Sequence, residues 1–316
     1  MIETKGEASR AFTGSMSNPA RDAAVHTENL TKVYKDFWGR PKVEALLNLD
    51  LTIQRGEVFG LLGPNGSGKS TTIKLLLGLI FPSKGKAFVL GQPAGSTTIN
   101  EKIGFLPEES YLYRFLNGEE ILKFYGRLFK IPRRELNRRV PELLDIVGLD
   151  AKSRKRKLRE YSKGMARRIG LAQAMINNPD LILLDEPTTG LDPIGTREMK
   201  DLILSLKNQG KTVLLCSHLL ADVQDVCDQI TILFRGKMQT LGHVKDLLQV
   251  QDVTQIEARG LTPQQIEETR LFMSRMGAGN AQITHPTTTL EELFVRVVQN
   301  NGGDVGRKGQ NSETKA

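Results

Sequence analysis

Nine consecutive residues constrain this chain more than any others: Gly63-Pro64-Asn65-Gly66-Ser67-Gly68-Lys69-Ser70-Thr71. They satisfy G-x-x-x-x-G-K-[ST] and stand between a short apolar run, residues 57–62, and a helix-forming stretch, residues 69–79. Glycines allow a turn tight enough for successive backbone N–H groups to point inward around phosphate oxygens. The helix that follows aims its positive end at the same place. In this arrangement Lys69 adds a point charge at the β- and γ-phosphates, and Ser70 offers a hydroxyl to Mg²⁺.

The rest of the chain supplies a fitting scaffold. Residues 25–34, 44–53, 86–90 and 102–106 read as strands. Residues 118–178 read as helical, with charge on one face. Residues 181–185 are apolar up to a final aspartate, as expected of a strand buried on both faces of a parallel sheet. A helix over 194–208, a strand over 212–216, a helix over 219–226 and a strand over 229–234 follow. This alternation predicts a parallel α/β core, with the helical stretch, about 110–178, as a second lobe. Near Gly242 the sequence turns richer in Gln and Thr. A strand over 253–258 and helices over 263–276 and 290–299 predict a small α/β appendage spanning 242–301. The polar segments 1–24 and 302–316 read as disordered tails, the first without the apolar core of a signal peptide.

The strand over 181–185 carries the second half of the site. Its last residue, Asp185, falls at the C-terminal edge of the sheet, where ligands of α/β folds bind. There Asp185 can hold Mg²⁺ through its water shell, leaving Glu186 free to polarise an attacking water.

Composition narrows the setting. The net charge is +8, with 39% hydrophobic residues. The most apolar run, residues 75–81, is interrupted by Gly78, far short of the roughly 18 residues a spanning helix needs. A cytoplasmic protein is expected. Cys216 and Cys227 lack CxxC spacing and read as buried free thiols. Basic clusters at 133–139 and 152–159 read as a solvated helical surface or as an attraction to an anionic membrane face. No aromatic or motif pattern supports nucleic-acid binding, and none is expected.

Further features narrow the choice among phosphate-loop enzymes, and together they resemble the ABC ATPase family. Tyr161-Ser162-Lys163-Gly164-Met165 stands where that family carries its LSGGQ signature, matching at Ser162 and Gly164, ahead of a helix read over 166–177. Asp185-Glu186-Pro187-Thr188-Thr189-Gly190-Leu191-Asp192-Pro193 resembles the Walker B and D-loop run, and Ser217-His218 the switch histidine. Tyr34 lies where the family stacks an aromatic on adenine, although Phe37 and Trp38 are close by. Glu108, in the run Phe105-Leu106-Pro107-Glu108-Glu109, replaces the family's usual Gln but can still accept from Mg²⁺-bound water.

The resemblance covers residues 25–241 and implies a P-loop NTPase fold of class α/β. That fold has a parallel sheet core, an antiparallel β subdomain, the helical signature lobe and the C-terminal appendage. It implies an ATPase using ATP and Mg²⁺. Lys69, Glu186 and His218 would do the catalytic work, with Asp192 in the D-loop near the nucleotide. One phosphate loop and one signature imply a second copy, in a homodimer or paired with a related ATPase subunit. They also imply an integral membrane permease, and so a place on the inner face of the cell membrane. The LPEE run, the YSKGM signature and Leu290-Glu291-Glu292-Leu293-Phe294 look like the exporter branch. An importer ATPase, or a soluble family member acting on ribosomes or DNA, is the alternative.

Overall fold

The computed structural model describes residues 22–109 and 112–249, together with 255–256, 265, 268, 271–272 and 283–284. Two sheets organise the main body. The first has order β2-β1-β4-β5 and is antiparallel: β1 (Val25–Lys35), β2 (Pro41–Ile53), β4 (Lys84–Val89) and β5 (Gln92–Pro93). The second has order β10-β9-β3-β8-β7-β6, from β3 (Val58–Leu62), β6 (Ile103–Leu106), β7 (Leu181–Asp185), β8 (Thr212–Ser217), β9 (Gln229–Phe234) and β10 (Lys237–His243). Its inner pairings are parallel, and only the edge pair β9–β10 is antiparallel.

The uniform apolarity of the central strands follows from their position. Strand β7 sends Ile182 and Leu184 into one core and Leu181 and Leu183 into another on the opposite face. Strand β3 divides Val58 and Leu62 from Phe59 and Leu61 in the same way. Neither face meets water, so a pattern alternating between polar and apolar residues would leave buried polar groups on one side.

One core joins the parallel sheet to the antiparallel one, with helix α1 (Lys69–Leu76) contributing Ile73, Leu75 and Leu76. The other joins it to the helical lobe: α2 (Gly118–Leu128), α3 (Arg133–Ile146) and α4 (Lys163–Ala174). Helix α2 opens on a capping box, in which Asn117 Oδ1 accepts from Glu120 N and Glu120 Oε2 accepts from Asn117 N. Helix α3 buries Leu136, Val140, Leu143 and Leu144, one stripe at helical spacing, and leaves Arg133, Arg134 and Arg138 exposed. Arg139 turns inward and donates to the carbonyls of Ile176 and Met175, capping the end of α4. Helix α5 (Pro193–Asn208) covers the sheet after β7.

Several boundaries differ from the sequence reading. Helix α1 stops at Leu76 rather than near residue 79, because Gly78 takes a left-handed φ of 69° against the backbone of Gly95. Helix α4 begins at Lys163, three residues earlier than the sequence suggests, because Ser162 caps it. Strand β10 is not anticipated by the sequence pattern. The packed body begins at Ala23 and runs on through Val244 and Leu248, so Gly242 lies inside a strand and not at its end. Beyond it, Gln255–Ile256 pairs antiparallel with Ile283–Thr284, and residues 265, 268, 271 and 272 are helical. The helix expected over 290–299 and the tail over 302–316 lie outside the described residues.

Candidate functional site

Strand β3 runs directly into the glycine loop, and α1 leaves from it. Gly66 and Gly68 have φ of 78° and 114°, where a side chain is strained, and a Cβ on Gly68 would also meet the carbonyl oxygen of Ala45. The loop is held from behind by the β9–β10 hairpin. Its turn residues Arg235 and Gly236 both have positive φ, as a tight two-residue turn needs. Gly236 N–H donates to Ser67 O at 3.0 Å, while Gly236 O accepts from Leu47 N at 2.7 Å. No side chain caps α1, and its first turn carries no acid, so its N-terminal N–H groups face the loop without a competing anion.

Lys69 is buried, and its ammonium donates to Gly63 O at 2.6 Å and Pro64 O at 3.3 Å. It also lies 3.5 Å from Glu186 Oε1. Ser70 follows on the same turn, with its hydroxyl near the Asp185 carboxylate. Burial pushes the Asp185 carboxyl above its usual range, and the Ser70 hydroxyl pulls against that shift. Glu108 is exposed on the loop after β6, close enough for its charge to be felt by Asp185.

Glu186 has a φ of 51°, uncommon for a non-glycine residue and found disproportionately at functional positions. Its N–H donates to Cys216 O at 2.9 Å. Its Oε2 accepts from Thr189 Oγ1 at 3.0 Å and lies 2.8 Å from His218 Nδ1. Glu186 Oε1 and Asp185 Oδ1 are buried without a hydrogen-bond partner within the chain. Orphaned buried carboxylate oxygens are expensive unless a ligand, ion or water satisfies them. Here they face the phosphate loop. Among the described residues no cluster of three His, Cys, Asp or Glu could hold a metal. One hydroxyl and one carboxylate suit Mg²⁺ nonetheless, since that ion takes most of its octahedral shell from water and phosphate oxygens.

The remaining expected residues divide. Tyr34 is 38% exposed on β1, opposite Val43, two positions along β2 from the Ala45 carbonyl that abuts Gly68. Phe37 and Trp38 lie beyond it at the β1–β2 turn and touch each other edge-on. Asp192 is engaged within the chain, capping α5 by accepting from Gly195 N at 2.7 Å. Ser162 caps α4, accepting from Met165 N at 3.2 Å. A Cβ on Gly164 would meet nothing nearer than 4.0 Å, at Leu191 and Ser162. The described contacts of Ser162 and Gly164 do not reach the glycine loop of their own chain.

Two participants escape sequence reasoning. Thr189 is visible in the acidic run but carries no assigned role there. Arg167 sits on the buried face of α4, in line with Leu171 and Ala174, where an apolar residue is the norm. A charge on an apolar helical stripe is the signal that could have found it.

The sequence pattern of the ABC transporter family matches residues 46–189. An uncharacterized ABC transporter ATP-binding protein of Nostoc sp. is 48% identical over 239 residues, covering 75% of this chain and 71% of that one. Nod factor export ATP-binding protein I of Rhizobium johnstonii is 37% identical over 254 residues, covering 79% and 80%. A solved dimeric ATP-binding cassette, in a post-hydrolysis state with ADP and Pi, matches with a TM-score of 0.63 at 29% identity, covering 70% of this chain and 98% of that one. The chain therefore belongs to the ATP-binding subunits of ABC transporters.

Proposed function

We propose that this subunit hydrolyses ATP with Mg²⁺ as one half of a dimer beneath a separate membrane permease, in an exporter. The observation that carries the reading is Glu186: a buried carboxylate in a strained backbone conformation, with one oxygen fixed by Thr189 and His218 and the other free of hydrogen bonds beside the Lys69 ammonium. Such a group is oriented before substrate arrives and has an acceptor to spare for a water proton. Lys69 and the loop N–H groups of Gly63, Asn65, Gly66, Ser67 and Gly68 would spread the charge of the phosphates, with Pro64 shaping the loop and Thr71 in the same helical turn. His218 would meet the γ-phosphate, and Tyr34 the adenine. Ser70 and Asp185 would hold Mg²⁺, with Glu108 reaching it through water. Bound there, the ion would neutralise charge on the β- and γ-phosphates.

A dimer is supported by the bare backbone at Gly164. Nothing among the described residues requires a glycine there, which leaves space for the nucleotide of a neighbouring subunit. A permease partner is supported by the exposed aromatic cluster of Tyr113, Phe115 and Phe124 beside α2, with Leu128 and Phe129 also exposed. No described helix is long and apolar enough to cross a membrane, which fits a subunit peripheral to the inner face of the cell membrane. Export is supported by the LPEE and YSKGM runs and by likeness to a Nod factor export protein. The appendage after Leu248 would steady the dimer.

The test is sedimentation of Glu186→Gln with and without Mg-ATP, alone and with its permease. ATP-dependent dimerisation is expected, since the phosphate cradle is intact and turnover is blocked. A protein that stays monomeric when saturated with Mg-ATP, even beside its permease, would count decisively against shared sites.

A further inference from the structure

Arg167 is 5% exposed, and its described hydrogen bonds go to main-chain carbonyls. Its guanidinium donates through Nη1 to Pro107 O at 2.6 Å and through Nη2 to Glu186 O at 2.8 Å. The first carbonyl immediately precedes Glu108 on the loop after β6. The second belongs to the residue in the left-handed conformation. Three segments distant in sequence are thereby joined at one rigid planar group: the start of α4, the Glu108 loop and the end of β7.

The bond to Glu186 has a particular value. Residue 187 is proline, so the peptide after Glu186 has no N–H with which to be held. Glu186 N–H is fixed by Cys216 O on one side of the Cα. On the other side its carbonyl accepts from Arg167 at 2.8 Å and, at 3.3 Å, from Thr189 N. A charge-assisted donor is the stronger of the two. Burial pushes the Arg167 guanidinium below its usual range, while Glu108, Asp185 and Glu186 pull it back up.

We infer that Arg167 is a positioning residue: it holds the Glu186 backbone and the Glu108 loop in register with the start of α4, so that the signature end of the helical lobe and the hydrolytic carboxylate move as one piece. Ser162, which caps α4, is little more than one helical turn from Arg167. A shift of the signature against a neighbouring subunit's nucleotide then reaches Glu186 through one hydrogen bond and the Glu108 loop through the other, without passing through the phosphate loop. Arg167 itself donates to neither Lys69 nor the glycine loop, and Lys69 keeps its own bonds to Gly63 and Pro64, so nucleotide binding does not run through Arg167.

The inference rests on the hydrolytic role proposed for Glu186, and its test separates the two. ATP turnover, KM, affinity for a fluorescent ATP analogue and melting temperature are measured for the full chain and for Arg167→Met, Arg167→Gln and Arg167→Lys. Arg167→Met keeps a long packing side chain but loses both donors. It should lower kcat about 10- to 100-fold, the range for a hydrogen bond involving a charged group. Affinity should stay within about threefold of the parent, because ground-state binding is untouched. Arg167→Lys, which retains charge and a donor without the planar fork, should fall between the two. Unchanged kcat in Arg167→Met overturns the inference, as does an affinity loss equal to the loss of kcat. If Arg167→Met does not fold, Arg167→Gln decides by the same criteria. A parent chain with no ATPase activity at all would instead sink the hydrolytic reading.

Discussion

The end of β7 and the start of α4, the two regions proposed to meet phosphate, are made in opposite ways. Asp185 and Glu186 are buried, one in a strained backbone conformation, and each keeps an oxygen without a hydrogen bond. Ser162 is exposed, relaxed and satisfied by capping its own helix, and Gly164 borders open space. The first region holds unsatisfied polarity that only the packed core around it can maintain. The second holds none and offers only a shape. A site completed within one chain stores its demand for ligand internally. A surface meant for another chain's ligand has to be harmless until that chain arrives.

The largest effect should come from the stored side of this contrast. Glu186→Gln is expected to lower kcat by about 10² to 10⁴ while leaving nucleotide affinity intact, the range for loss of a positioned general base. Lys69→Ala should instead weaken binding itself. Steady-state turnover with a fluorescent-nucleotide titration separates them, and near-parental turnover in Glu186→Gln would remove that carboxylate from its role.

On the other side, Gly164→Asp should bind ATP as a monomer yet fail to hydrolyse it, because the new charge would face the neighbour's phosphate. Gly164→Ala sharpens the point. With no intrachain clash and a helical position, it should raise stability by about 0.5–1 kcal/mol. It should nonetheless reduce turnover. A Gly164→Ala protein that is both more stable and fully active would show that the open backbone serves no second subunit.

The smallest effect concerns the cost of stored polarity. The Asp185 carboxyl is raised by burial, so between its unfolded and folded values the native state binds more protons, and stability falls as pH rises through that window. Above it the full penalty remains. Asp185→Asn should therefore melt higher than the parent at neutral pH without nucleotide, by a few degrees for about 1 kcal/mol in a domain of this size. The difference should shrink as pH is lowered. A lower melting temperature in Asp185→Asn would mean that attraction to Lys69 and Ser70 outweighs the desolvation.

Much of this was readable beforehand, for physical reasons that also mark where reading stops. The bounds of β7 and β9 follow from the residues alone, since strands buried on both faces admit only apolar side chains between polar ends. Strand β10 is partly exposed along its whole length, and its sequence Lys-Met-Gln-Thr-Leu-Gly-His has little to declare. The turn before it, Arg235-Gly236, was the better clue. Helix α4 was placed late because Gly164 argues locally against helix, whereas the cap at Ser162 and burial of the following turns decide otherwise. The phosphate loop was legible because its chemistry is local. Arg167 was not, because its two acceptors are main-chain carbonyls from segments separated from it by 60 and 19 residues.

The hairpin behind the phosphate loop has a consequence for how the protein is made. Gly236 is clamped between Ser67 and Leu47, so the wall supporting the loop is translated some 170 residues after the loop itself. A nascent chain stalled before the β9–β10 turn carries the whole glycine motif and both acids but lacks the brace that holds the motif's shape. Such a fragment lacks the two hydrogen bonds at Gly236, so nucleotide, which stabilises only the formed loop, would act on it more weakly. On the ribosome, ATP capture would thus mark the emergence of the last core strand, and cellular nucleotide would favour finished domains over truncated ones.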